Sequence, residues 1–118
     1  MKRTLAEMRC THAEALDRAL DSAVCILGRL PEVEKIVVFG SYPRGRRDLC
    51  TDLDLLVVMR SSESFLSRTQ RLYRLLGGKM GVDFDLVAYT PEEIEEYGST
   101  PFLRRALAQG EVVHARPG

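Results

Sequence analysis

Asp52 and Asp54, one leucine apart, stand at the mouth of the apolar run DLDLLVVM (52–59), and Asp83 and Asp85 repeat the spacing in VDFDLVAY (82–89). Side chains alternate along an extended strand, so Asp52 and Asp54 point to one side while Leu53 and Leu55 point to the other. Two carboxylates then lie within a few ångströms of each other. Burying them without compensation is costly or holds one of them protonated, so a positive group between them is expected. If the two runs are neighbouring strands, three or four carboxylates converge on one patch. An all-oxygen set of this kind suits a hard divalent ion such as Mg²⁺ or Mn²⁺. The plain alternative is that the acids pair with Arg44, Arg46, Arg47 or Arg60 and orient a turn.

The residues upstream favour the first reading. Gly40-Ser41 follows directly on the hydrophobic run KIVVF, and ten residues separate Ser41 from Asp52. Glycine lets a backbone approach a phosphate closely, and a serine hydroxyl with the amides of a following short helix can hold phosphate oxygens. Arg44, Arg46 and Arg47 lie where guanidinium groups can reach the same oxygens, each by two hydrogen bonds. An anion cradle and metal ligands thus face one cleft.

This pattern, a strand ending in Gly-Ser and ten residues later Asp-x-Asp opening the next strand, resembles the minimal nucleotidyltransferases of the DNA polymerase β-like superfamily. The resemblance rests on GSYPRGRRDLCTDLDLLV, including Arg44-Gly45 in its turn, and on FDLVAYTPEEIEEY and FLRRALAQGEVVHA, and it covers nearly all of the chain after Val33. It implies a polymerase β-like nucleotidyltransferase fold. It also implies that Asp52, Asp54 and Asp85 hold the metal, usually two Mg²⁺ (or Mn²⁺) ions, with Asp85 helping to deprotonate an attacking hydroxyl. Gly40, Ser41 and Arg44 would bind the triphosphate, and Asp83 ranks second to Asp85, whose spacing to Thr90-Pro91 fits better. The implied reaction moves a nucleoside monophosphate, AMP from ATP, onto a hydroxyl of a protein or other acceptor. Small members of the family act as antitoxins of a helical HEPN-type partner. The alternative is a module of the same fold that neutralises its partner by contact, with catalysis weak or absent.

The elements that must position these residues follow from periodicity. Apolar residues recur at three- and four-residue steps from Leu5 to Leu30, with His12 in the stripe, and Pro31 closes a helix of about 26 residues, roughly 40 Å long. That length exceeds what so small a domain covers, so part of its apolar face is expected to meet another chain, a second copy included. His12 reads as a half-buried helix residue with no partner in the local sequence. KIVVFG and DLDLLVVM read as buried strands. Between Ser61 and Gly77-Gly78, Phe65, Leu66, Thr69, Leu72, Tyr73 and Leu76 share one helical face, while Arg68, Arg71 and Arg74 form a solvated row. VDFDLVAY is a third strand, Thr90-Pro91-Glu92-Glu93 a capping box opening a helix to about Tyr97, and Thr100-Pro101 a second start signal before FLRRALAQ. Gly110 stops that helix and EVVHA forms an edge strand or tail. Tyr42 and Tyr89 fit packing as well as base stacking. The whole is an α/β domain over 1–118: a helix over 1–31, then a core over 34–118 with a small mixed sheet flanked by helices.

Composition narrows the classes. At 118 residues and 45% hydrophobic content the chain fits one domain. Lys+Arg and Asp+Glu are equal at 17 each, so no overall field favours nucleic acid. Charges interrupt the N-terminal stretch and no run is long enough to span a bilayer, so a soluble cytoplasmic protein is expected. Cys10, Cys25 and Cys50 form no C-x-x-C pair and read as free thiols.

Overall fold

The structure, a computed structural model, describes residues 4–117. Met1–Arg3 and Gly118, included in the expected helix over 1–31 and domain over 1–118, lie outside the described residues.

Helix α1 spans Leu5–Gly28 and opens on a capping box: the Thr4 hydroxyl accepts from the Glu7 amide at 3.1 Å, and the Thr4 amide donates to Glu7 Oε2 at 3.2 Å. These bonds satisfy amides that the first helical turn leaves without partners. Leu16, Ala19, Ala23 and Leu27 form the buried stripe, whereas Leu5 and Met8 near the start remain 50% and 39% exposed. The helix stops two residues short of the expected Leu30. Its end is fixed from elsewhere in the chain: Arg116 donates to the carbonyls of Gly28, Leu30 and Val33, each within 2.9 Å.

Strands β1 (Val33–Phe39), β2 (Leu53–Met59), β3 (Phe84–Tyr89) and β4 (Glu111–Ala115) form one mixed sheet in the order β3-β2-β1-β4. β1 is antiparallel to β2 and β4, and β2 is parallel to β3. A parallel pair needs a crossover, and α2 (Phe65–Leu76) provides it. The expected edge strand is β4, beside β1.

The two faces of the sheet carry separate apolar layers. Ile36, Val38, Leu53, Leu55, Val57, Met59, Leu86 and Ala88 pack with α1 and α2. Val37, Leu56 and Val58 pack with Leu103 and Ala106 of α4 (Pro101–Gln109), joined by Phe39, Val87, Tyr89 and by Ile94 of α3 (Pro91–Tyr97). Alternation therefore puts Asp54, two residues before Leu56, and Asp85, two before Val87, on the α3/α4 face.

Helix α2 corrects the sequence reading of its surface. Ser64 caps it, accepting from the Ser67 amide at 3.1 Å, but Arg68 is buried and Leu66 is 65% exposed. The Arg68 guanidinium forms a fork with Glu93, at 2.5 and 2.9 Å, and that pairing draws it inward. Arg71 is likewise engaged, by Glu63 and Glu32. Glu93 also completes the expected capping box of α3, accepting from the Thr90 amide while its own amide donates to the Thr90 hydroxyl. Helix α4 starts at Pro101 as expected, but the Thr100 hydroxyl donates back to the Tyr97 carbonyl at 2.7 Å rather than capping the helix. No helix among the described residues is long and apolar enough to cross a membrane.

Candidate active site

The parallel ladder sets Asp54 of β2 directly opposite Asp85 of β3, with Leu53 opposite Phe84. Adjacent strands run about 4.8 Å apart, so the two carboxyl groups share one patch of the sheet face. Asp52 precedes β2 by one residue and is exposed, as is Asp85, while Asp54 is half-buried. The Asp54 carboxyl is pushed above the usual carboxylate range, first by burial, then by the charges of Asp85 and Asp52. Asp83 lies just before β3, and its carbonyl accepts from the Leu53 amide at 3.3 Å.

The glycine turn meets this patch. Gly40 has φ of +80°, and a Cβ there would lie 2.3 Å from Asp54 Oδ2. The position needs glycine twice over, for its backbone angle and for the room it leaves the carboxylate. A single 3₁₀ turn, Tyr42–Arg44, follows Ser41, whose side chain makes no capping bond. The amides of Arg44, Gly45 and Arg46 are engaged inside the turn, and Pro43 has none. The turn thus offers an anion fewer amides than the sequence suggests. A hollow of about 490 Å³ opens beside Ser41, Arg44, Gly45 and Arg46. Arg44 Nε donates to the Gly40 carbonyl at 3.2 Å, leaving the rest of its guanidinium at the surface.

The arginines do not neutralise the acids. Arg46 pairs with Asp48 at 2.7 Å, Arg60 donates to the Pro31 carbonyl, and Arg47 binds the Tyr42 carbonyl while its guanidinium lies 3.5 Å from the Tyr42 ring centroid. The carboxylates of Asp52, Asp54 and Asp85 form no hydrogen bond or ion pair among the described residues. The alternative in which Arg44, Arg46, Arg47 or Arg60 pairs with them is not the arrangement found.

A crowded, uncompensated oxygen patch has the donor chemistry of a Mg²⁺ or Mn²⁺ site. Among the described residues no three carboxylates, histidines or cysteines close into a metal cage. An open site of this kind still fits Mg²⁺, which binds through one or two carboxylates and takes its remaining ligands from water and substrate phosphates.

Beyond this geometry, the nucleotidyltransferase domain family model matches residues 20–113. The chain belongs to that family. Three solved structures share the nucleotidyltransferase fold. A toxin-antitoxin solved with AMP-PNP matches at 21% identity and TM-score 0.59, over 83% of this chain and 72% of that one. A candidate nucleotidyltransferase from Sulfolobus solfataricus matches at 16% and 0.57, over 98% and 91%. The MntA-HepT toxin-antitoxin matches at 18% and 0.53, over 84% and 71%. No curated protein matches the chain significantly.

Several residues that support this candidate site went unread in the sequence. His12, expected to lack a partner, has its Nε2 2.9 Å from the Thr51 carbonyl, next to Asp52. Asp48 organises the loop into β2, accepting from the Cys50 amide at 2.9 Å and the Thr51 hydroxyl at 3.2 Å. The Tyr42 hydroxyl donates to Asp17, tying the turn after Gly40 to α1; burial and that bond push the phenol up to about 12. Tyr42 is therefore a packing residue, and Tyr89 packs on Phe65 with ring centroids 5.2 Å apart. Only the short spacing from Asp48 to Asp52 hints at any of these roles.

Proposed function

We propose that this domain transfers a nucleoside monophosphate, AMP from ATP, to a hydroxyl group of a protein partner, with Asp52, Asp54 and Asp85 as metal ligands. The observation that carries the reading is the unpaired Asp54–Asp85 juxtaposition packed against the positive-φ turn at Gly40. Ser41 and Arg44, beside the hollow, would hold the triphosphate through a hydroxyl and a guanidinium. Asp85, exposed at the sheet face, would take the proton of the acceptor hydroxyl as its oxygen bonds to the α-phosphorus and pyrophosphate leaves. Asp54 would fix that geometry from its half-buried position. Bound Mg²⁺ or Mn²⁺, two ions by the family resemblance, would neutralise charge developing on the phosphate oxygens. The likeness to structures solved as toxin-antitoxins, one of them with AMP-PNP, supports ATP as donor and a helical HEPN-type protein as acceptor.

A second reading, a partner-binding module in which catalysis is weak or absent, draws on one feature. The first turns of α1 extend past the buried stripe with Leu5 and Met8 exposed. A contact surface of that kind can neutralise a partner without chemistry.

Incubation with labelled ATP, Mg²⁺ and a helical HEPN-type partner protein separates the two. Label transferred to the partner by the wild-type chain, and lost in Asp52→Ala and Asp54→Ala, is the expected result. A tight complex that forms without transfer, unchanged in those variants, favours the contact module.

A further inference from the structure

A groove of about 300 Å³ lies between the end of β1 and α4, walled by Phe39, Gly40 and Arg44 on one side and by Phe102, Arg105 and Gln109 on the other. We infer that this groove receives the purine base of the bound nucleotide, with Phe102 as the stacking surface and Gln109 and Arg105 as readers of the base edge. The inference rests on the nucleotide reading above and extends it from phosphates to base.

Three observations lead there. First, the groove shares Arg44 with the hollow beside Ser41, and its Gly40 wall abuts the Asp54 carboxylate, so it continues from the phosphate and metal positions. Second, Phe102 is 46% exposed although it meets Phe39 edge-on, with ring centroids 5.6 Å apart. An aromatic ring left open beside a polar cleft is a ready platform for a flat heterocycle, since every base has a π-face. Third, Arg105 and Gln109 are one helical turn apart on α4, both exposed, and neither side chain makes a hydrogen bond or ion pair among the described residues. A glutamine amide offers a donor and an acceptor side by side, matching N6 and N7 of adenine, and a guanidinium matches O6 and N7 of guanine. Both patterns are purine patterns.

Phe102 also borders a second hollow, with Phe65, Tyr89 and Tyr97. That hollow includes neither Gly40 nor Arg44, which makes Tyr97 a useful control.

Calorimetric titration of the full chain in Mg²⁺ with ATP, CTP and inorganic tripolyphosphate tests the assignment. ATP is expected to bind more tightly than CTP and tripolyphosphate. Phe102→Ala should weaken ATP about tenfold, the scale of one lost base–aromatic stack, and leave tripolyphosphate unchanged. Gln109→Ala should reduce the preference for ATP over CTP, and Tyr97→Ala should change neither. If tripolyphosphate binds as tightly as ATP, if CTP matches ATP, or if Tyr97→Ala is the variant that weakens ATP, the groove assignment is overturned while the phosphate site stands. A chain that binds none of the three ligands overturns the nucleotide reading along with it. Circular dichroism of each variant verifies the fold, and Phe102, half exposed, is not a core residue.

Discussion

Asp54 and Asp85 stand opposite each other in the parallel ladder of β2 and β3, and no side-chain cation of the described residues lies between them. Burial and the neighbouring charges raise the Asp54 carboxyl, so the native chain keeps this proton at a pH where the unfolded chain has lost it. Stability from this group is therefore greatest below the usual carboxylate range and declines as pH rises through the raised native value. Asp54→Asn should remove that decline. At neutral pH its melting temperature should equal the wild-type value or exceed it by a few degrees, and a large drop would show that Asp54 serves a structural ion pair. Mg²⁺ should raise the melting temperature of the wild type and do so much less in the variant.

Gly40 is the position least able to accept a side chain. Alanine at φ of +80° costs about 1–2 kcal/mol in backbone strain alone, and its Cβ would drive into Asp54. Gly40→Ala should lower the urea midpoint and abolish nucleotidyl transfer. Adding Asp54→Ala should recover the part due to the collision but not the strain, so the double mutant should be more stable than the sum of the single losses.

Arg68 and Glu93 join α2 to the start of α3 across 25 residues of chain. Arg68→Ala leaves Glu93, partly solvated and still bonded to the Thr90 amide, without its partner and should cost about 1.5–3 kcal/mol, read as a urea midpoint shift with unchanged slope. Replacing both by methionine should cost much less. The remainder should be close to the loss of the α3 cap, about 1 kcal/mol.

In an absorbance titration Tyr42 should ionise near the value of about 12 that its burial and the Asp17 contact impose. The native chain holds this proton after the unfolded chain releases it near 10, so its contribution to stability is complete below 10 and is lost as pH climbs toward 12. Tyr42→Phe should abolish that alkaline loss, and a wild-type titration with no phenol ionising well above 10 would contradict the assignment.

Much of this was legible where the signal is local. The Thr90–Glu93 capping box, the Pro101 start, the Gly110 stop and strands β1, β2 and β3 follow from short-range rules. Asp54 and Asp85 fell on one face because strands have a period of two. What escaped depended on distant partners. Arg68 looked like part of a solvated row because Glu93, which pulls it inward, lies 25 positions away. His12 looked unpartnered because Thr51 lies 39 positions away. Helix α1 ends at Gly28, ahead of Pro31, where Arg116 ties down the carbonyls of Gly28 and Leu30, and no local rule can anticipate a cap drawn from the far end of the chain.

The crossover through α2 has one more effect. Thirty-one positions separate Asp54 from Asp85, and they become neighbours only when the third strand docks alongside the second. A chain emerging during synthesis, or one cut before β3, has the glycine turn and the first two acids but not the complete set. The carboxylate patch is thus incomplete until the sheet is assembled, and the transfer proposed above would double as a report that folding has finished.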